Sequence, residues 1–423
     1  MADYIRRAVD DELDDLRRSL PAIALEGLKG VGKTATAMQR AKTVHRLDDP
    51  DRRAMIEADP ARVLGGVPPV LIDEWQRVPD TWDLVRRAVD DGAAPGRFLL
   101  TGSAAPVGLA THSGAGRIVT VRMRPLALFE RKVESPTVSL RELFSGRRGP
   151  VEGETSVNLE RYADEIVRSG LPGLRHLEGR ALRMQLDSYL QRIAERDFPD
   201  MGYRVRNPAL LRRWMAAYAA STSTSASYEK IRDAATGGLG DKPAKTTTQP
   251  YRDVLERLWV IDPVPAWLPT RSRLARLSSP PKHQLADPAL AARLLGVDVG
   301  ALLDGVPAAF APRDGTLFGA LFEALVTLCV RVAAQQAECR VHHLRTARGE
   351  REVDLIVERG DGRIVAIEVK LARKVVDADV KNLLWLREHV REDLLDSVIV
   401  TTGATAFRRR DGIAVVPAAL LGP

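Results

Sequence analysis

The sequence predicts an α/β protein in three parts. A parallel-sheet unit surrounds a phosphate loop, a helical middle follows, and a second α/β unit lies near the C-terminus. Three observations point there. Apolar strand-like runs, PAIALEG, VPPVLIDEW and RFLLTGS, alternate with helical stretches early in the chain, the pattern of a parallel sheet. A glycine-rich motif, GLKGVGKT, joins the first run to a helix. Far downstream, REVDLIVERGDGRIVAIEVK alternates like a β-hairpin around Gly-Asp-Gly.

The totals bound the rest. With 423 residues, about three domains are expected. The chain is 45% apolar and 28% charged, a soluble composition. The most apolar run, TLFGALFEALVTLCVRVAA, carries Glu323, and a mid-helix charge argues against a lipid span. The N-terminus mixes acids with bases and reads as no signal peptide. Cys329 and Cys339 lack metal spacing and suggest no disulfide framework. A cytoplasmic protein with no membrane partner is expected. The net charge of +7 is matched by residues 204–276 alone, with 13 Lys/Arg against 6 Asp/Glu. That stretch reads either as a surface for DNA or as a solvated arginine-rich face.

Along the chain, residues 1–20 place Tyr4, Ile5, Ala8, Leu13 and Leu16 at roughly helical spacing. Residues 140–155, with SGRRGPVEGE, read as a linker. Helical patterns run from about 157 to 220. Ser227 should cap a short helix, and a longer one follows with Pro250 near its start. Three helices followed by WVIDPVPAWL give the order of a winged helix, with 246–259 as recognition helix. There Lys245, Arg252 and Arg257 would meet DNA while Val254, Leu255 and Leu258 face the core. The remainder, 276–423, returns to mixed α/β. The expected boundaries are 1–135, 136–205, 206–275 and 276–423.

GLKGVGKT fits G-x-x-x-x-G-K-[ST] and has the strand and helix flanks that make the motif specific. Gly27, Gly30 and Gly32 would let backbone N–H groups curl around phosphate oxygens. Lys33 would reach the β- and γ-phosphates of ATP, and Thr34 would ligate Mg²⁺. Lys29 and Ala35, within and just past the motif, join the nucleotide contacts. VLIDE ends a second apolar strand with Asp73, expected in the Mg²⁺ shell. Glu74 after it would orient or deprotonate the attacking water. LLTGS places Thr101 or Ser103 as a γ-phosphate sensor if its strand lies between the other two. Arg117, Arg122 and Arg124 include candidates for a trans-acting finger, though each reads more simply as a solvated arginine.

LDDPDRRAMIEADP, VLIDEWQRVP, RFLLTGS and GRIVTVRMRPLALFE resemble the successive signatures of a family of bacterial and archaeal AAA-type P-loop ATPases. The resemblance implies a compact ATPase, then a helical and winged-helix region, then a C-terminal domain with a restriction-nuclease-like hairpin. It also implies that Asp48 and Asp49 lie near the nucleotide and that Gln76 partners the acidic pair. Ala35 stands where many such ATPases carry a second Thr, and Ala104 follows TGS where a polar sensor would fit better.

On the hairpin, alternation puts Glu368 and Lys370 on one face. A three-residue turn at 360–362 pairs 359 with 363 and sets Asp354 beside Glu368. Adjacent carboxylates repel unless a cation lies between them, and oxygen ligands favour Mg²⁺. Lys370 could then activate a metal-bound water. Glu323, the lone charge on an apolar helix, needs a partner. Asp354, Glu368, Lys370 and Glu323 together resemble the PD-(D/E)XK nucleases. His342 and His343 are either extra contacts or plain strand residues.

The leading expectation is an ATPase coupled to a DNA-binding, nuclease-like domain. The alternative is a regulatory or protein-interaction ATPase whose C-terminal domain is inactive, acting as a homo-oligomer or on a partner protein. A P-loop kinase fits less well, because no substrate-lid pattern is visible.

Overall fold

The computed structural model describes residues 4–102, 114–236, 244–269, 279–304, 317–346 and 349–423. Ser103 and Ala104 lie outside them.

The first sheet has five strands: β1 Ala22–Glu26, β2 Thr43–Arg46, β3 Val70–Asp73, β4 Phe98–Thr101 and β5 Val119–Arg122. All pairings are parallel, in the order β2-β3-β4-β1-β5. The central strands read as continuous apolar runs because both faces are covered. Successive residues alternate between two cores: Ile23, Leu25, Leu71 and Leu99 join one, while Ala24, Ile72, Phe98 and Leu100 join the other. Helices α1 (Ala8–Leu16), α2 (Lys33–Met38), α3 (Pro50–Ala58) and α4 (Asp80–Asp90) accompany the sheet. The N-terminal helix begins at Ala8, later than the spacing of Tyr4 and Ile5 predicts. Its stop before them leaves the Tyr4 hydroxyl to bond Asp10 and Thr36.

The stretch expected as a linker is structured. Helix α5 (Leu140–Ser145) buries Leu140, Leu143 and Phe144. Strand β6 (Val138–Ser139) pairs with β15 (Leu421–Gly422) at the chain's far end. Polar composition hid this, because Leu140, Leu143 and Phe144 are followed by the Gly- and Arg-rich stretch SGRRG.

The middle is helical: α6 (Leu159–Val167), α7 (Gly179–Arg192), α8 (Phe198–Asp200), α9 (Pro208–Ala220), α10 (Tyr228–Thr236) and α11 (Lys245–Arg257). A π-helical turn, Ile193–Asp197, joins α7 to α8. Ser227 Oγ accepts from the Lys230 N–H at 3.3 Å. Val254, Leu255 and Leu258 are buried. The chain after α11 returns through two antiparallel bridges, Ile261 to Leu285 and Val264 to Lys282. Helices α12 (Pro288–Leu294) and α13 (Val299–Leu303) follow.

The second sheet is mixed, with eight strands in the order β7-β13-β14-β12-β11-β10-β9-β8. They are β7 Gly153–Glu154, β8 Ala266–Trp267, β9 Arg340–Arg345, β10 Glu352–Glu358, β11 Ile364–Lys370, β12 Leu394–Thr401, β13 Thr405–Arg408 and β14 Ala414–Pro417. Helix α14 (Leu317–Gln336) shares the first core with one face; α15 (Asp377–Val390) shares a third core with the other. By length and composition α14 could cross a membrane, yet 72% of its apolar window is buried inside the protein, the setting of a core helix. The β10–β11 hairpin has the register expected from a 360–362 turn: Leu355 opposes Ile367, and Arg359 N–H donates to Arg363 O. The pairing of β10 with β9 shifts between Val353 and Ile356. This bulge sends Val353 to the α15 side, away from Leu355 and Val357.

Candidate functional site

The phosphate loop turns from β1 into α2 through three left-handed glycines, with φ of 149° at Gly27, 84° at Gly30 and 100° at Gly32. A Cβ on Gly27 would lie 2.0 Å from Met123 O, so only glycine passes under the chain leaving β5. Lys33 is buried at the loop's mouth. Its ammonium donates to Gly27 O at 2.8 Å and Leu28 O at 3.1 Å, both neutral partners. Burial pushes its pKa down to about 8, against the pull of Glu74.

Strand β4 lies between β1 and β3, and this order brings three strand ends together. Thr34 Oγ1 donates to Asp73 Oδ1 at 2.7 Å, and Thr101 Oγ1 donates to the same oxygen. Asp73 is 4% exposed, and among the described residues its side-chain partners are these two hydroxyls. Glu74 follows in a left-handed conformation, φ 57° and ψ 44°, which is uncommon outside glycine and asparagine. Its carboxylate accepts from Gln76 Nε2, while Gln76 Oε1 is buried with no partner among the described residues. Gly102 permits this, because a Cβ there would meet Gln76 Oε1 at 2.2 Å. Oxygen donors on Thr34 and Asp73, beside a glycine cradle and a buried ammonium, fit Mg²⁺ and a nucleotide phosphate.

Other candidates are placed differently. The Lys29 ammonium is committed to Asp197 on the π-helical turn, and Lys29 O accepts from Tyr189 Oη at 3.0 Å. Ala35 is exposed on α2. Asp49 spends its carboxylate capping α3, accepting from Asp51 N–H at 3.0 Å. Arg122 and Arg124 are not solvated. With Arg331 they converge on Asp262, which is 6% exposed. Three guanidiniums hold that carboxyl far below the usual range, against burial. These arginines tie β5 to the middle and to α14, which removes them as fingers. Arg117 pairs with Asp90 at 2.7 Å on the surface.

The hairpin acids do meet a cation, but it belongs to the chain. Lys282 Nζ lies 2.9 Å from Glu323, 3.1 Å from Asp354 and 3.2 Å from Glu352. Its side chain is 1% exposed. Asp354 Oδ2 accepts from Val369 N–H at 2.9 Å, and Lys370 Nζ sits 2.7 Å from Glu368. Among the described residues, no three His, Cys, Asp or Glu side chains are grouped to hold a metal. Where Mg²⁺ is expected beside Asp354 and Glu323, the structure places the Lys282 ammonium, while Glu368 is paired with Lys370. Burial and the neighbouring Asp354 raise both Glu323 and Glu368 to about 8. His343 Nε2 is 3.1 Å from Pro280 O, and His342 Nε2 is 3.6 Å from Glu358.

Lys282, Asp197 and Asp262 carried no motif. The one available signal for Lys282 was an imbalance: Glu323, Glu352, Asp354 and Glu368 converge in pattern with only Lys370 to answer them.

With this geometry in hand, residues 19–131 match the family model described as an AAA domain. The N-terminal unit is thus similar to P-loop domains of AAA type. Residues 159–300 match a domain of unknown function (DUF8612), and 318–421 match another (DUF4143). The uncharacterized proteins Rv2008c of Mycobacterium tuberculosis and Mb2031c of Mycobacterium bovis are each 28% identical over 421 residues. That alignment spans 95% of this chain and 82% of theirs. Among solved structures, the Walker-type ATPase PABY2304 of Pyrococcus abyssi aligns at 17% identity and TM-score 0.40. It covers 69% of this chain and 96% of that one.

Proposed function

We propose that this AAA-type chain is a Mg²⁺-dependent ATPase whose C-terminal unit serves as a regulatory or partner-binding scaffold. The observation that carries the first half is the meeting of the Thr34 and Thr101 hydroxyls on Asp73, beside the Gly27–Thr34 loop. Thr34 and Asp73 would hold Mg²⁺, which when bound supplies charge neutralisation at the phosphates. Lys33 offers its ammonium to the same phosphates in exchange for the two loop carbonyls. Glu74, held by Gln76, would orient the attacking water and take its proton. Thr101 reports on Asp73 from the intervening strand. Ser103 remains a proposed sensor.

The second half rests on Lys282. An ammonium bonded to three carboxylates already supplies the cation that a nuclease centre would draw from solution. This favours the inactive-domain reading over DNA cleavage. A polyanion contact is the finer proposal for the middle: Lys245 and Arg257 stand exposed on α11, while Arg252 stacks on Tyr228 with its guanidinium carbon 4.8 Å from the ring centre.

Phosphate release from ATP by wild type, Lys33→Ala and Glu74→Gln tests the proposal. Mg²⁺-dependent release in wild type, lost in both variants, is expected. Equal release from all three would overturn it. Mg²⁺-dependent digestion of DNA by wild type, abolished by Glu368→Ala, would overturn the scaffold reading.

A further inference from the structure

We propose that the Lys29–Asp197 pair is a nucleotide-sensitive latch, through which occupancy of the phosphate loop sets the conformation of the π-helical turn at 193–197. This rests on the nucleotide reading of the loop. Asp197 and Tyr189 are then positioning residues, since neither lies in the Gly27–Thr34 motif and both act through Lys29.

Three contacts join Lys29 to this one helical stretch. The Lys29 ammonium bonds Asp197 and lies 4.0 Å from Asp200. Lys29 O accepts from Tyr189 Oη at 3.0 Å. Cβ atoms built on Gly30 and Gly32 would touch Leu171 and Pro172 at 3.9 and 3.7 Å, so the helical region abuts the loop's inner turn. The partners Tyr189 and Asp197 sit at the end of α7 and in the turn that follows it.

The chemistry makes this arrangement two-sided. Asp197 is 8% exposed, and burial raises its pKa; Lys29 is the partner that offsets that cost. A carboxylate in this position needs its ammonium. A polyphosphate in the loop is a second, stronger anion competing for the same ammonium. When Lys29 turns toward phosphate, Asp197 loses its partner beside the like charge of Asp200. The turn it occupies is the element best able to respond, because a π-helical turn carries an extra residue that can be given up to regular α-helix. Binding at the loop and rearrangement at 193–200 are then linked, and linkage runs both ways.

The test uses the full chain and a non-hydrolysable ATP analogue. Amide exchange across 189–203 is measured with and without the analogue, and the analogue's affinity is measured in parallel. In wild type, the analogue should change exchange in this segment by about 5-fold or more. Asp197→Asn removes the competing anion, so the analogue should bind about 5-fold more tightly while the exchange response disappears. Asp197→Glu should restore both. Asp200→Asn removes the same charge without the bond, and should stay within about 2-fold of wild type. If Asp197→Asn fails to fold, Tyr189→Phe serves instead, keeping the ring while removing one contact to the loop. It should weaken the exchange response.

An unchanged exchange response in Asp197→Asn, or the same changes in Asp200→Asn, would overturn the latch while leaving the nucleotide site intact. No analogue binding by wild type would overturn the nucleotide reading and the latch with it.

Discussion

Two lysines mark two acidic constellations, and their partners separate them. Lys33 is bonded to two neutral carbonyls, and Asp73 opposite is bonded to two hydroxyls. In the proposed function both face the arriving nucleotide and Mg²⁺. Lys282 is paired with three acidic side chains, Glu323, Asp354 and Glu352, and its charge is spent inside the fold. A buried charge held by neutral dipoles is poised for a ligand, whereas one neutralised in place is a structural joint. Residue types alone do not distinguish the two regions; the partners do.

The comparison is broken most severely at the joint or the loop. Lys33→Ala should reduce ATP hydrolysis by about 100-fold or more, since it removes a preorganised positive group; a coupled phosphate-release assay reads this. Gly27→Ala forces a Cβ into Met123 O and should abolish nucleotide binding in a titration, with the chain destabilised as well.

Lys282→Met should destabilise the fold by about 3–5 kcal/mol, because it leaves buried Asp354 without its cation. Denaturant unfolding checks it. A loss under about 1 kcal/mol would mean the joint carries little.

The pH dependences should run through the same range for different reasons. Lys33 has a folded pKa lowered to about 8. Its ammonium is therefore present below that pH and lost above it, and ATP affinity should fall as pH rises through about 8. Glu323 and Glu368 are raised to about 8. The folded cluster thus holds protons that the unfolded chain has released. Its contribution to stability is greatest near the unfolded carboxylate pKa and is lost as pH rises through about 8. Thermal melts of Glu323→Gln should show a shallower decline over that window than wild type. The smallest effect belongs to the surface: Arg117→Ala breaks an exposed pair with Asp90 and should leave the thermal midpoint essentially unchanged.

Much of this was legible in the sequence because the determinants are local. The GLKGVGKT spacing and its flanks place a loop between β1 and α2. VLIDE and FLLT are short enough to be strands and too apolar to be loops. The hairpin register follows from turn length and alternation. What was hidden is long-range. Lys282 reaches Asp354 from a polar segment, SSPPKHQLADP, whose two bridges to 261 and 264 have no periodic signature. The bulge at 353–356 inserts one residue without a glycine to announce it. Residues 140–155 look like a linker because the strands at their two ends, β6 and β7, are two residues long and pair with β15 and β13. Lys29 falls inside a phosphate motif, so spacing assigns it to the nucleotide. Only the fold reveals Asp197, some 168 positions away.

The account turns on one measurement, a calorimetric titration of wild type and Lys33→Ala with ATP and Mg²⁺. One saturable site per chain in wild type, and none in Lys33→Ala, is the predicted result. Equal binding by the two proteins would contradict it.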